Sequence, residues 1–183
     1  MRLFHKDDPS QKGFTLIEMM LVVGILGIIG VGITRLFSST FKGWFLNMGQ
    51  LSSQRQMRVA RDIIIKFTRQ AKASSVILDR YNTTQPYLSM LTFVDAAGNS
   101  RAFFQKNNAF HAGSWSLVSG VRTVAANTQI LIPNYLQKAS FFFPDVKEPG
   151  KLGFCLYSVW PLPKGVGSSI GTFLNGDVEI RDP

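Results

Sequence analysis

The sequence predicts an α+β protein, a long N-terminal helix packed on a C-terminal antiparallel β-sheet head. Three observations carry this. Phe14 to Ile33 is a 20-residue apolar run with a single charge, Glu18. The segment that follows separates apolar from basic side chains at helical periodicity. Past Asp79 the pattern changes to short apolar or alternating runs broken by turn residues. The chain then divides into a polar leader (1–13), a transmembrane helix (14–34), an amphipathic helical stem (35–78) and a β-rich globular head (79–183).

The apolar run is long enough to cross a bilayer as a helix, yet a carboxylate sits one turn inside it. A charge nearer the bilayer centre costs about 2.5 to 3.5 kcal/mol on insertion scales, which makes Glu18 a functional candidate. A positive group of another molecule is the partner that would relieve it. The bland alternative is a signal-anchor helix whose Glu18 lies at the interface. A cleaved secretory signal fits less well, because the apolar region is too long and no small-residue cleavage site follows it. Arg2, Lys6 and Lys12 precede the run, against Arg35 and Lys42 just after it. That asymmetry favours a cytoplasmic leader and a head outside the cytoplasm.

Lys12-Gly13-Phe14-Thr15-Leu16-Ile17-Glu18 resembles the prepilin signature of type IV pilins and type II secretion pseudopilins. The resemblance implies that prepilin peptidase cuts after Gly13 and that the new N-terminus, Phe14, is methylated. It also implies that Glu18 pairs with the N-terminal amine of a neighbouring subunit. An amine and a carboxylate in hydrocarbon gain from such pairing, because the low dielectric strengthens their attraction. The implied partners are prepilin peptidase, other pilin or pseudopilin subunits, the inner-membrane assembly platform and membrane lipid. The implied location is the inner membrane, then a filament in the periplasm or on the cell surface.

The chain departs from the family's general pattern in two ways. Many pilins staple a C-terminal loop with a disulfide, but Cys155 is the only cysteine here, so no intrachain disulfide forms. Major pilins often carry a helix-kinking proline, whereas this chain has none between Pro9 and Pro86. The stem sequence Gln54 to Ile63 and the hairpin after it resemble minor subunits, which prime or cap a filament. The expected function is that of a minor pilin-like subunit in assembly of a type IV pilus. The alternatives are a minor pseudopilin of a type II secretion system and a membrane-anchored binding module.

Residues 35–80 hold nine basic and two acidic side chains, whereas residues 81–183 hold eight and six, so most of the net charge of +9 lies in the stem. On a helical wheel Met57, Ala60, Ile63, Ile64, Phe67 and Ala71 share an arc of roughly 120°, and Arg55, Arg58, Arg61, Lys66, Arg69 and Lys72 a separate arc of roughly 140°. Asp62 can pair with Lys66. Gly43 and Gly49 each weaken a helix by about 1 kcal/mol relative to alanine, so a kink or a frayed stretch is expected there. Helical continuity from Phe14 to about Leu78 would span about 95 Å. Three readings of the basic stripe are a solvated or filament-packed face, contact with anionic lipid and DNA binding. Without interleaved aromatics for base stacking, and with a stem that a fibre would bury, the nucleic-acid reading is the weakest.

In the head, Leu88–Val94 and Arg101–Gln105 read as a hairpin around a Gly-containing loop. Further strand candidates are Gln129–Ile132, Ala139–Phe143, Leu152–Trp160 and Val178–Ile180, with prolines bounding them. Asn175-Gly176 reads as a tight turn and Lys164–Gly171 as a loop. Phe103, Phe104, Phe110, Trp115, Phe141, Phe142, Phe143, Phe154 and Trp160 supply the core candidates.

No catalytic, cofactor or metal site is expected. Only His5 and His111 exist, and a Cys155–His111 nucleophile pair is the one enzymatic alternative. No HExxH, nucleophile elbow or CxxC is present. Asp145 and Glu148, or Asp177, Glu179 and Asp182, are too sparse for a calcium site. Gly24, Gly27 and Gly30 permit close helix contact, and tolerance of glycine in lipid explains them equally well. Cys155 is expected to be a buried thiol.

Overall fold

The computed structural model describes residues 14–144, 150–164 and 169–180. It divides into two compact units, Met1–Gly43 and Trp44–Pro183. The helix α1 (Leu16–Thr68) begins in the first. Every described residue from 14 to 42 is exposed, so the apolar circumference has no cover among the described residues. A helix apolar all round is long and apolar enough to cross a membrane.

Within the second unit, α1 buries Gly49, Ser53, Met57, Ala60, Ile64 and Thr68. Their spacing of three or four residues makes one stripe. Ile63 and Phe67 flank it half-buried, and all six basic residues of the predicted arc are exposed. No frayed stretch interrupts α1 at the glycines, since the helix runs unbroken through both. Gly49 has a packing reason instead. A Cβ there would lie 2.9 Å from Cδ1 of Trp160, so the missing side chain admits the indole against the helix.

The helix stops well short of the expected Leu78. Sheet backbone claims its next residues: Ala96 N–H donates to the Gln70 carbonyl at 2.8 Å, and Lys72 N–H donates to the Val94 carbonyl at 2.9 Å. Ala71 is buried, as its place on the wheel predicted, but it bridges Asp95 rather than continuing α1. A 3-10 turn, Ala73–Ser75, leads into β1 (Ile77–Asp79). Next come β2 (Met90–Val94), β3 (Ser100–Lys106), β4 (Ala109–Gly113), β5 (Trp115–Val118) and β6 (Val121–Val124). The chain continues through β7 (Gln129–Ile132), β8 (Leu136–Phe142), β9 (Lys151–Pro161) and β10 (Ser169–Glu179).

All pairings are antiparallel, in a five-stranded sheet β1-β2-β3-β4-β7, a three-stranded sheet β10-β9-β8 and the hairpin β5-β6. The predicted β2–β3 hairpin is present. The β5–β6 turn, Ser119-Gly120, has φ of 52° and 79°, the positive pair that a tight two-residue hairpin requires.

Asn175-Gly176 is not a turn. Both lie inside β10, opposite Cys155 and Phe154. The glycine serves the ring of Phe154, which occupies the space a Cβ at Gly176 would need. Gly153 gives way to Phe142 in the same manner. Of the strand expected at Val178–Ile180, Val178 and Glu179 are the end of this longer one and Ile180 lies beyond it, and Ser169–Gly171, expected as loop, form its start. The rest of that loop, 165–168, lies outside the described residues, as do Asp145, Glu148 and Asp182.

Ring centroids link Phe93 to Phe103 (6.1 Å), Phe103 to Phe110 (6.3 Å) and Phe110 to Phe141 (6.2 Å). This row joins the five-stranded sheet to β8 and packs in one core with Met57, Ala60 and Ile64 of α1. The buried Gln105 stitches the same seam. Its Oε1 accepts from Ala139 N–H at 2.9 Å, and its Nε2 donates to the Gln137 carbonyl at 3.2 Å. Phe142 and Phe143, expected in the core, are exposed.

Asp62 and Lys66 do not form the expected pair. The ion pair found within 4.0 Å among the described residues is Asp95–Arg101, at 3.0 Å. The Arg101 guanidinium also lies 4.0 Å from the ring centre of Phe67, tying the β2–β3 turn to the last turn of α1. Burial pushes the Asp95 carboxyl up, but bonds from Asn99 and Arg101 outweigh it and hold the group below its ordinary value. A carboxylate held low in the folded state stabilises above its unfolded pKa, and that stability is lost as pH falls through the folded one. Thermal unfolding of the full chain in detergent should therefore lose stability as pH drops below about 4. Asp95→Asn should be less stable at neutral pH and show a flatter acid limb. Equal acid slopes for the two proteins would contradict this role.

Candidate functional site

The first turn of α1 is closed by Thr15 and Glu18. Thr15 precedes the first helical residue, the N-cap position, and Glu18 lies three residues on. The Glu18 N–H donates to Thr15 Oγ1 at 3.3 Å, while Glu18 Oε2 accepts from Thr15 N–H and from Thr15 Oγ1, both at 2.9 Å. This reciprocal arrangement is a capping box, which satisfies donors a helix start otherwise leaves orphaned. A carboxylate here also complements the helix dipole.

Sequence reasoning located Glu18 but missed Thr15 as its partner, although the Thr-x-x-Glu spacing was there to be read. Both intramolecular bonds fall on Oε2, so Oε1 has no partner among the described residues. The next charged residue along α1 is Arg35. The site can therefore hold its own helix end and still accept a cationic donor from outside. Phe14, adjacent to the cap, is 80 % exposed. Gly13 lies outside the described residues. Gly24, Gly27 and Gly30 face open space, so nothing among the described residues uses their small surface.

His111 belongs to β4 and Cys155 to β9, in separate sheets, and no hydrogen bond joins them. The His111 ring stacks on Phe104 at 5.3 Å, and its Nδ1 meets Thr128 Oγ1 at 3.1 Å. Burial first, and Lys106 second, lower its pKa and favour the neutral ring. Burial pushes the half-buried Cys155 thiol up, opposite to what a nucleophilic thiolate needs. Among the described residues no group of three or more His, Cys, Asp or Glu could hold a metal ion.

Replacing the two members of the capping box separates their roles. Gln serves as well as Glu at this position of a capping box, so Glu18→Gln should keep the helix start intact while removing the charge available to a neighbour. Thr15→Ala should cost about 1 kcal/mol of helix stability and leave that charge in place. Circular dichroism in detergent and cross-linking to neighbouring subunits in membranes check the two effects. If Glu18→Gln cross-links like the parent, the carboxylate serves only as a cap.

Residues 8–34 match the family model of the prokaryotic N-terminal methylation motif. No curated protein matches the chain. The motif is the leader of type IV prepilins and pseudopilins, and implies processing by prepilin peptidase and assembly with other pilin subunits. With this motif, an exposed apolar helix fit for an inner-membrane anchor and an antiparallel β head, the chain fits a pilin-like protein.

Proposed function

We propose that this chain is a minor pilin-like subunit that helps prime or cap a type IV pilus. Prepilin peptidase cuts between Gly13 and Phe14, Phe14 is methylated, and Glu18 receives the N-terminal amine of a neighbouring subunit. The leader of residues 1–13 lies in the cytoplasm, residues 14–34 anchor the chain in the inner membrane until the assembly platform extracts it, and the head stands outside the cytoplasm.

The observation that carries this reading is the methylation motif placed directly on a helix whose one early carboxylate has an oxygen, Oε1, without a partner among the described residues. The cap spends Oε2 within its own chain and leaves Oε1 for a donor supplied from outside. An α1 uninterrupted from Leu16 to Thr68, with no proline in it, supports a minor rather than a major subunit. The role is structural: the subunit acts by binding its neighbours rather than by turning over a substrate.

Deleting the gene and measuring two quantities in one culture tests the proposal. Pilin sheared from the cell surface should fall while enzymes released to the medium stay at parental levels. Normal pili with trapped exoproteins would move the chain to the type II secretion pseudopilus. Normal values of both would contradict a filament role.

A further inference from the structure

At the start of the second unit an apolar groove of about 550 Å³ opens between α1 and the end of β9. Trp44, Phe45 and Met48 form one wall, and Tyr135, Trp160 and Pro161 the other. Trp44 is 52 % and Met48 51 % exposed. The walls are built rather than loose. The rings of Tyr135 and Trp160 lie 4.3 Å apart, and Trp160 sits on the bare backbone of Gly49.

Three observations on this chain select the occupant. The first is continuity: only residues 34–43 separate the apolar run from Trp44, and among them Leu36, Phe37 and Phe41 are exposed apolar side chains. The second is chemistry, since two indoles and a phenol, apolar bodies with one polar tip, are the side chains that favour a membrane–water interface. The third is charge. Between Ile33 and Trp44 the chain holds Arg35 and Lys42 and no acidic residue, a complement to lipid phosphates.

From these we infer that the Trp44–Trp160 groove is a membrane-interface seat, filled by the headgroup region of an anionic bilayer while the subunit awaits assembly. The inference rests on the reading of residues 14–34 as a membrane span. It adds a second attachment, through the base of the head, which extraction into a filament must release.

The chain carries its own control. Of its three tryptophans, Trp115 donates to the Phe93 carbonyl at 3.0 Å and lies under Arg122. Ser100 binds the Trp115 carbonyl, and the neighbouring Arg101 packs at Phe67 of α1, whereas Trp160 packs at Gly49. Those two helix positions are about 27 Å apart at 1.5 Å per residue.

The full chain is reconstituted in phosphatidylcholine–phosphatidylglycerol vesicles bearing a headgroup nitroxide, as the parent and as three variants that each keep one tryptophan and carry Phe at the other two positions. Emission from Trp44 and from Trp160 should be quenched several-fold more than emission from Trp115. The parent should lose more emission in these vesicles than in phosphatidylcholine alone, a reading that survives if a variant fails to fold by circular dichroism. Protein that floats with the vesicles but shows equal quenching of Trp160 and Trp115, and a parent indifferent to phosphatidylglycerol, would overturn the seat. Shielding of Trp160 from aqueous acrylamide that grows with protein-to-lipid ratio, without nitroxide quenching, would assign the groove to a second copy and overturn the lipid occupant. Failure to float would instead sink the span, and with it the function proposed above.

Discussion

A carboxylate one turn inside an apolar helix sets the terms for this protein, because hydrocarbon offers the charge no hydration. The local fold gives a partial answer: Thr15 engages Glu18 Oε2 through both its backbone and its hydroxyl. Those bonds order the helix start but bring no positive charge. In a membrane the remaining cost makes a cationic partner valuable, and a low dielectric makes such a pairing strong and direction-sensitive. In the proposed reading the same residue is a cap in an isolated subunit and a register mark between subunits. The apolar helix matters to the same argument. Exposed from residue 14 to residue 42, it has nothing among the described residues to pack on.

The head is organised around a different constraint, the close approach of rings to glycines. Trp160 meets α1 at Gly49, Phe142 lies over Gly153, and Phe154 lies over Gly176. In each case a bulky aromatic occupies the space that a missing side chain leaves, which is how a small head without a disulfide reaches close packing. The row Phe93–Phe103–Phe110–Phe141 then carries contact from one sheet to the other, and Gln105 satisfies the backbone groups of β8 along that seam. The Asp95–Arg101 pair and the Phe67 ring fasten the end of α1 to the β2–β3 turn.

Legibility in the sequence followed the range of the interactions. The buried and basic faces of the stem were readable because helical periodicity is local, and Met57, Ala60 and Ile64 are buried as the wheel predicts. The end of α1 was not, because the groups that stop it belong to Val94, Asp95 and Ala96, far along the chain. Asn175-Gly176 carries a strong local turn signal, and a cross-strand ring that local propensity cannot see overrode it. The short strands β1, β4, β5 and β6 were missed, although Ser119-Gly120 was a usable turn cue. At the candidate site, a lone carboxylate in an apolar run identified Glu18, while the second half of the Thr-x-x-Glu pattern passed unused. The groove at Trp44 was beyond reach of sequence reasoning, since its two walls are more than eighty residues apart.

If this chain is a processed pilin-like subunit, as proposed, its working N-terminus is Phe14. N-terminal sequencing and intact-mass measurement of the protein purified from cells with and without prepilin peptidase tests it most directly. The account predicts a chain that begins at Phe14 and carries one added methyl group when the peptidase is present, and a chain that keeps residues 1–13 when it is absent. An unprocessed Met1 terminus in peptidase-bearing cells would contradict it.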